Sequence, residues 1–306
     1  MRVLLTGGAG YIGTELIYQL IRDKTVEEII VYDNLIRGNY NLFLGKTKLE
    51  TPRVTFIKGE LLDTRKLKQL VDRSDVVYHL AAKVTTPFAD HNPHEFDQVN
   101  HWGTAELTYL LEESNVKRFI YLSSVSVYGS SDEEVSILSV PQPRTFYGIS
   151  KYNAERHVGR LLEKGMEAYI LRSGNVYGYS KSMRFDSVIN KFIFEANFNR
   201  KIKIYGDGEQ HRAFLHVDRL SQFLGKLLHQ GLSPDTYNLV EDNLSINQIA
   251  DELNLLYPDL EMVYVNQDIR MRNLMVKPDD RLEDFFHFQR GQLGTDLKRF
   301  RERFTF

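Results

Sequence analysis

The stretch "RVLLTGGAGYIGTEL", residues 2–16, decides the fold. A short run of valine and leucine leads into glycines at 7, 10 and 13, and apolar residues at helical spacing follow. Backbone that must come close to a pyrophosphate cannot carry a Cβ at such positions. The helix that follows offers N–H donors and the positive end of its dipole. Glycine collects in any turn, so the triplet alone decides little. Its position at the first strand-to-helix junction of a repeating pattern decides much more. The sequence has no G-x-x-x-x-G-K-[ST], which excludes a triphosphate loop of that kind.

The pattern extends outward from this loop. "RVLLT" (2–6), "EIIVYD" (28–33), "VTFIKG" (54–59), "DVVYHLA" (75–81), "RFIYLSS" (118–124) and "EAYILRS" (167–173) are short and rich in β-branched or aromatic residues. They lack polar alternation, as strands buried on both faces do. Helical stretches at about 11–23, 64–72, 95–115 and 146–164 separate them. The expected fold is α/β, a Rossmann-type doubly wound parallel sheet, with residues 1–173 as an NAD-binding domain. After 173 the loops lengthen and single helices (184–198, 217–230, 245–257) separate short strands. Residues 174–306 are expected to form mainly a smaller substrate-binding lobe, with about 211–236 returning to the first domain. The end, "LGTDLKRFRERF", reads as a basic amphipathic helix.

Composition narrows the function. A formal net charge of -2 argues against a nucleic-acid or membrane-surface partner, because no large positive field is available. With no cysteine, disulfides, thiolate metal sites and cysteine nucleophiles are excluded. The glycine-broken N-terminus does not read as a signal peptide, and no apolar run approaches a transmembrane length. A soluble cytoplasmic protein without a bound metal is expected. "HNPH" brings His91 and His94 together with no third ligand in sight, and His79 ends an apolar strand as a core histidine would.

Asp33 ends the second strand, twenty residues after Gly13. A carboxylate there accepts hydrogen bonds from the adenosine ribose hydroxyls and repels a 2′-phosphate, which favours NAD over NADP. Arg37, four residues on, softens that preference. Chemistry is concentrated in "RTFYGISKYNAER" (144–156), where Tyr147 and Lys151 stand four residues apart. Spacing alone is cheap, since Tyr177 and Lys181 repeat it within "YGYSK". The second pair sits among glycines in a loop. The first opens a stretch with helical spacing at Ile149, Tyr152, His157 and Leu161, where four residues mean one face. A phenol titrates near pH 10, so a general base at neutrality needs a shift of roughly three units, and a neighbouring ammonium pushes that way. "LSSVSVYG" adds Ser123, Ser124 and Ser126 at the end of the fifth strand.

In order along about residues 1–220, "TGGAGYIG", "DNLIRG", "HLAAK", "VNHWGT", "YLSSVSVYG", "YGISK", "LRSGNVYG" and "GDGEQHRAFLHVD" resemble the extended short-chain dehydrogenase/reductases that act on nucleotide-diphosphate sugars. The resemblance implies that Tyr147 is the catalytic base, Lys151 its pKa-lowering partner at the nicotinamide ribose, and Ser124 the hydroxyl on the sugar oxygen. It implies cofactor binding by Gly7, Gly10, Tyr11, Ile12 and Gly13, by Asp33 and Asn34, and by Glu60 and Leu61 about the adenine. Ala81, Ala82 and Lys83 match the strand-four cofactor segment, and Asn100 a buried asparagine that supports the site. Lys83, Ser124, Tyr147, Asn175 and Arg212 are the implied substrate contacts, with Arg270 or Arg272 as a second phosphate arginine. A homodimer through helices 95–115 and 146–164 is also implied. Ala213 and Arg219 depart from the family pattern, which usually reads Arg-Asp-Phe and Val-x-Asp-Asp there.

The resemblance also bears on the reaction. Dehydratases of this family carry an Asp-Glu pair just after the catalytic hydroxyl, and the uronate decarboxylases carry a Glu. This chain has Val125 and Ser126, neither fit to transfer a proton. An NAD-dependent nucleotide-sugar 4-epimerase is therefore expected. The alternatives are a 4-ketoreductase or other nucleotide-sugar oxidoreductase with exchangeable NAD(P)H, and a non-catalytic NAD-binding module.

Overall fold

The structure, a computed structural model, describes residues 1–38, 40–42, 53–84, 92–229, 231–266 and 271–304. In chain order the strands are β1 (Arg2–Thr6), β2 (Glu28–Asp33), β3 (Val54–Lys58), β4 (Val76–His79), β5 (Arg118–Ser124), β6 (Glu167–Ser173), β7 (Asn175–Tyr177), β8 (Lys201–Tyr205), β9 (His211–His216), β10 (Thr236–Leu239), β11 (Asp242–Ser245) and β12 (Glu261–Val265). The α-helices are α1 (Tyr11–Arg22), α2 (Thr64–Val71), α3 (Pro93–Phe96), α4 (Gly103–Glu112), α5 (Phe146–Glu163), α6 (Val188–Asn199), α7 (Val217–Lys226), α8 (Ile246–Leu256) and α9 (Leu293–Arg301).

Seven strands pair in the order β10-β6-β5-β4-β1-β2-β3, and each neighbouring pair is parallel. Successive side chains of a strand point to opposite faces. Val3 and Leu5 of β1, with Ile29 and Val31 of β2, pack toward α1 and α7, whereas Leu4 and Ile30 pack toward α2, α4 and α5. This double burial is why the strands read as unbroken apolar runs.

Two smaller sheets, β11-β9-β7 and the parallel pair β12-β8, share a third apolar core with α6, α8 and α9. Within the stretch 211–236, α7 packs on α1 while β9 pairs with β7 and β11.

Several expected boundaries differ for local reasons. The single helix expected at 95–115 is interrupted by a π-helical turn, Asp97–Trp102, between α3 and α4. Asn100 lies in that turn, its amide pinned to the backbone of Lys83, and hydrophobic spacing carries no sign of such a bond. The helix expected from 184 starts at Val188, because the residues before it form a loop anchored to α1 by Tyr11 and Thr14.

The family departure at Arg219 has a structural counterpart. Its guanidinium, on α7, donates to both oxygens of Glu241 and to both oxygens of Asp296 on α9. Tyr177 adds a hydrogen bond to Asp296 at 2.7 Å. All three side chains are largely buried, so this cluster ties the large sheet's helix layer to the third core. Removing a single partner strands buried charge. Arg219→Leu is expected to cost about 3–5 kcal/mol, read as a lowered urea midpoint at unchanged slope.

Candidate functional site

Because neighbouring strands of the large sheet are parallel, their carboxyl ends share one edge, and a cleft of about 1060 Å³ lies there. One end of it is the glycine loop. Gly7 has φ +72°, and a Cβ on it would lie 2.5 Å from the Ala81 nitrogen, so the β1 and β4 turns touch backbone to backbone. A Cβ on Gly13 would lie 2.6 Å from the Gly8 Cα. Gly10 is different: its Cβ would meet only the Gly7 carbonyl, at 3.1 Å, and would otherwise fill the cleft. It caps α1 without any side-chain hydrogen bond, so the first turn presents bare backbone to the cleft. This cradle fits a pyrophosphate.

Asp33 accepts from Ala9 N at 3.1 Å and from Leu35 N at 2.8 Å. Burial pushes its carboxyl up from the ordinary aspartate range and the two N–H groups oppose that. Asn34 and Glu60, both lining the cleft, bond to each other at 3.0 Å, with Leu61 beside them. Gly59 went unremarked in the sequence, yet a Cβ there would lie 2.3 Å from the Tyr32 ring. Ile12 lines the cleft, while the Tyr11 hydroxyl turns to the Gly178 carbonyl, at 2.5 Å, and accepts from Asn190.

Ala81, Ala82 and Lys83 form the opposite wall. Asn100 is buried behind that wall and does not itself line the cleft. Its side chain accepts from Lys83 N at 2.7 Å and donates to Lys83 O and to Ser150, each at 3.0 Å. The Lys83 ammonium pairs with Glu95 of α3.

At the far end the β5 and α5 termini converge. Thr145 caps α5 by accepting from Gly148 N, which sets Tyr147 in the first turn and Lys151 one turn later. Ser124 ends β5, accepts from Ser126 N and donates to the Ser126 hydroxyl, each at 3.1 Å, and lies close enough to the Tyr147 phenol to act on it. Ser123 instead donates to Glu155 at 2.5 Å. Lys151 is buried, with its ammonium donating to Leu122 O at 2.7 Å and lying 4.6 Å above the Tyr121 ring. Burial pulls Lys151 down to about 7, with Glu155 opposing. Tyr147, expected to be lowered, is raised instead by burial; the Ser124 hydroxyl and the Arg184 charge only oppose that. The protein alone therefore holds a neutral phenol.

Asn175 lines the cleft with its amide on Ala213 O at 3.0 Å. Arg212 donates to the backbone of His211 and of Arg272, and burial together with the Arg272 charge lowers it to about 10. Arg270, like His91, lies outside the described residues. Arg184 and Asp186, absent from the sequence reading, line the cleft as an ion pair, and Arg37 reaches Asp186 at 3.7 Å. They come from a loop before α6 that carries no recognisable motif.

Other residues of the sequence reading lie away from the reacting end. Tyr177 bonds Asp296, while the Lys181 ammonium lies 5.6 Å over the Tyr18 ring, so that pair is accidental. His79 is fully buried between Thr6 and Thr104 and is lowered to about 3 by burial, a neutral structural group. His216 caps α7. Among the described residues no cluster of His, Cys, Asp or Glu could hold a metal, and no helix is long and apolar enough to cross a membrane.

The doubly wound sheet and its glycine cradle define a dinucleotide-binding protein, with a Ser–Tyr–Lys set at the other end of the cleft. The chain belongs to the NAD dependent epimerase/dehydratase family, which it matches over residues 3–239. It is 34% identical over 289 residues to a dTDP-D-glucose 4,6-dehydratase of Bos taurus, covering 92% of this chain and 78% of that one. An uncharacterized UDP-glucose epimerase of Bacillus subtilis is 32% identical over 223 residues, or 71% of this chain and 69% of that one. Among solved structures, the UDP-glucuronic acid 4-epimerase from Bacillus cereus, in complex with UDP-glucuronic acid and NAD, superposes with TM-score 0.85. That pair covers 99% of this chain and 98% of the other at 22% identity, a likeness of fold. The cofactor expected from the glycine loop and Asp33 is the one the family is named for.

Gly10 separates cofactor binding from folding. Gly10→Val is expected to fold, since its φ of -76° suits any residue, yet to weaken NAD at least about tenfold in a fluorescence titration.

Proposed function

We propose that the protein is an NAD-dependent nucleotide-diphosphate-sugar epimerase acting at C4 through a transient 4-keto sugar. The observation that carries this reading is the chemistry next to the reacting end of the cleft. Val125 is buried and Ser126 is the cleft-lining residue beside Ser124, so no acid stands where an elimination needs one. The described carboxylates that line the cleft are Asp33, Glu60, Glu95 and Asp186. Asp33 and Glu60 belong to the strand-end loops by the glycine cradle, and Glu95 and Asp186 are paired with Lys83 and Arg184. Hydride chemistry at a single carbinol needs one base, and Tyr147 supplies it. A 34% identity to a dehydratase is measured over the whole scaffold and does not weigh positions 125 and 126 above any others.

NAD, when bound, would supply a reversible hydride acceptor for C4 and a positively charged ring. Tyr147 takes the proton from the C4 hydroxyl and returns it to the same oxygen once C4 is inverted. Ser124, beside the phenol at the end of β5, orients the sugar oxygen toward it. Lys151, held at Leu122 O, provides a cation on the same helix face and binds the nicotinamide ribose. Gly7, Gly10, Tyr11, Ile12 and Gly13 hold the pyrophosphate by backbone. Asp33 with Asn34 holds the adenosine ribose, Glu60 and Leu61 flank the adenine, and Ala81 to Lys83 line the nicotinamide side, with Asn100 as their support. Asn175 and Arg212 hold the substrate diphosphate, where Arg212 and the neighbouring Arg272 concentrate positive charge.

The decisive assay incubates the protein with UDP-, GDP-, CDP- and dTDP-sugars and follows the products by NMR. Interconversion of C4 epimers without net cofactor turnover is expected, and Tyr147→Phe should lose at least about a thousandfold in kcat while still binding NAD. Stoichiometric NAD(P)H consumption on a keto sugar would establish the reductase instead, and loss of one water the dehydratase. Tight NAD binding without turnover would leave a binding module.

We also propose a homodimer through the face of α4 and α5. Trp102 and Tyr109 are 50% and 47% exposed there, and Asn153, Arg156, His157 and Arg160 border a surface hollow beside them. Sedimentation is expected to give twice the chain mass, and Trp102→Glu with Tyr109→Glu to give the monomer.

A further inference from the structure

We propose that Glu155 is a positioning residue for Lys151: its carboxylate is the counter-charge that keeps the buried ammonium charged, and Ser123 and Arg172 fix that carboxylate in place. The inference rests on the reading above, in which Lys151 works as a cation beside Tyr147.

Tyr147, Lys151 and Glu155 follow one another at four-residue steps along α5, so they share the face packed on β5 and β6. Lys151 is 3% exposed. The groups around it come from every neighbouring element. From α5 come Tyr147 and Glu155. From β5 come the Tyr121 ring, Leu122 O and Ser123. From β4 comes His79, neutral and stacked on Tyr121. The π-helical turn and α4 contribute Asn100 and Thr104, both neutral. Arg172 of β6 and Tyr128 stand behind Glu155, and Arg184 acts on Tyr147 from across the cleft.

Glu155 is the one carboxylate in that set. A lysine buried without a counter-charge gives up its proton, and burial already draws Lys151 to about 7 with Glu155 alone pushing back. A carboxylate 5% exposed must itself be fully bonded. Arg172 meets both its oxygens, Nε at 3.0 and 3.2 Å and Nη2 at 2.7 Å, and Ser123 donates at 2.5 Å. The Tyr128 hydroxyl accepts from Arg172 at 2.9 Å, which fixes the guanidinium in turn. Of these groups Ser123 alone lines the cleft, and its hydroxyl is given to Glu155. The bonds act through Lys151.

The test is a pH titration of the full chain with NAD bound, labelled with 13Cε-lysine, the Lys151 resonance being the one lost in Lys151→Arg. Glu155→Gln is expected to lower the Lys151 midpoint by at least about half a pH unit, and Glu155→Asp to restore most of it. The alkaline limb of kcat for epimerisation should move down with it while KM stays, so activity falls more at pH 8 than at pH 6.5. A folded Glu155→Gln protein whose Lys151 midpoint stays within about 0.2 pH units of wild type would overturn the proposal. If the single variant does not fold, Glu155→Gln with Arg172→Met removes both charges and leaves neither stranded. It is expected to lower the midpoint as well, because Glu155 is the charge that acts on Lys151, and an unchanged midpoint there also overturns the proposal. The titration needs no sugar. A shifted midpoint in a protein that epimerises nothing would sink the proposed function alone, and a working epimerase with an unshifted midpoint would sink this inference alone.

Discussion

A parallel strand cannot return through a tight turn; the chain must cross over the sheet and start again from the same end. The rest of this structure depends on that constraint. Crossovers lay α1, α2, α4 and α5 over one face or the other, so the central strands are buried on both sides and every residue of β5 is buried. The carboxyl ends then share an edge, where residues far apart in sequence meet. Gly7 and Ala81 come into backbone contact there, and Ser124 meets Tyr147. The crossover helices also fill the layers that bring α7 against α1 and, through Arg219, fasten α9 to both.

The site this edge creates is electrostatically odd. Elsewhere the molecule buries charge in satisfied clusters, such as Arg219 with Glu241 and Asp296. At the reacting end it buries a phenol and an ammonium and disfavours the charged form of both. The phenol stays neutral, while a lysine drawn to about 7 is close to gaining or losing a proton on a small change of surroundings. A cationic ring arriving beside them favours the phenolate. On the reading proposed here, proton transfer from the sugar is thereby coupled to occupancy of the cofactor site.

Family membership and reaction are separate matters in this chain. The shared scaffold gives 34% identity to a dehydratase and a TM-score of 0.85 to an epimerase, and neither figure depends on which groups face the sugar. On the reading proposed here, the choice between elimination and epimerisation rests on two side chains after Ser124, together with the pairing of Glu95 and Asp186.

The sequence by itself determined the parallel layering, the glycine cradle and the helical face that joins Tyr147 to Lys151. Strand burial, Cβ-free turns and helical spacing are local properties, and local properties are written in local residue patterns. The π-helical turn at Asn100, the turning away of the Tyr11 hydroxyl, the Arg184–Asp186 pair and the Glu155–Arg172 cluster were decided only by the tertiary structure. Each is a polar side chain bonded to a group far away along the chain, and no periodicity encodes such a partner. The same holds for the charge states of the Tyr–Lys pair. Spacing brings the two residues to one face, but burial, which belongs to the whole fold, sets which of them is charged.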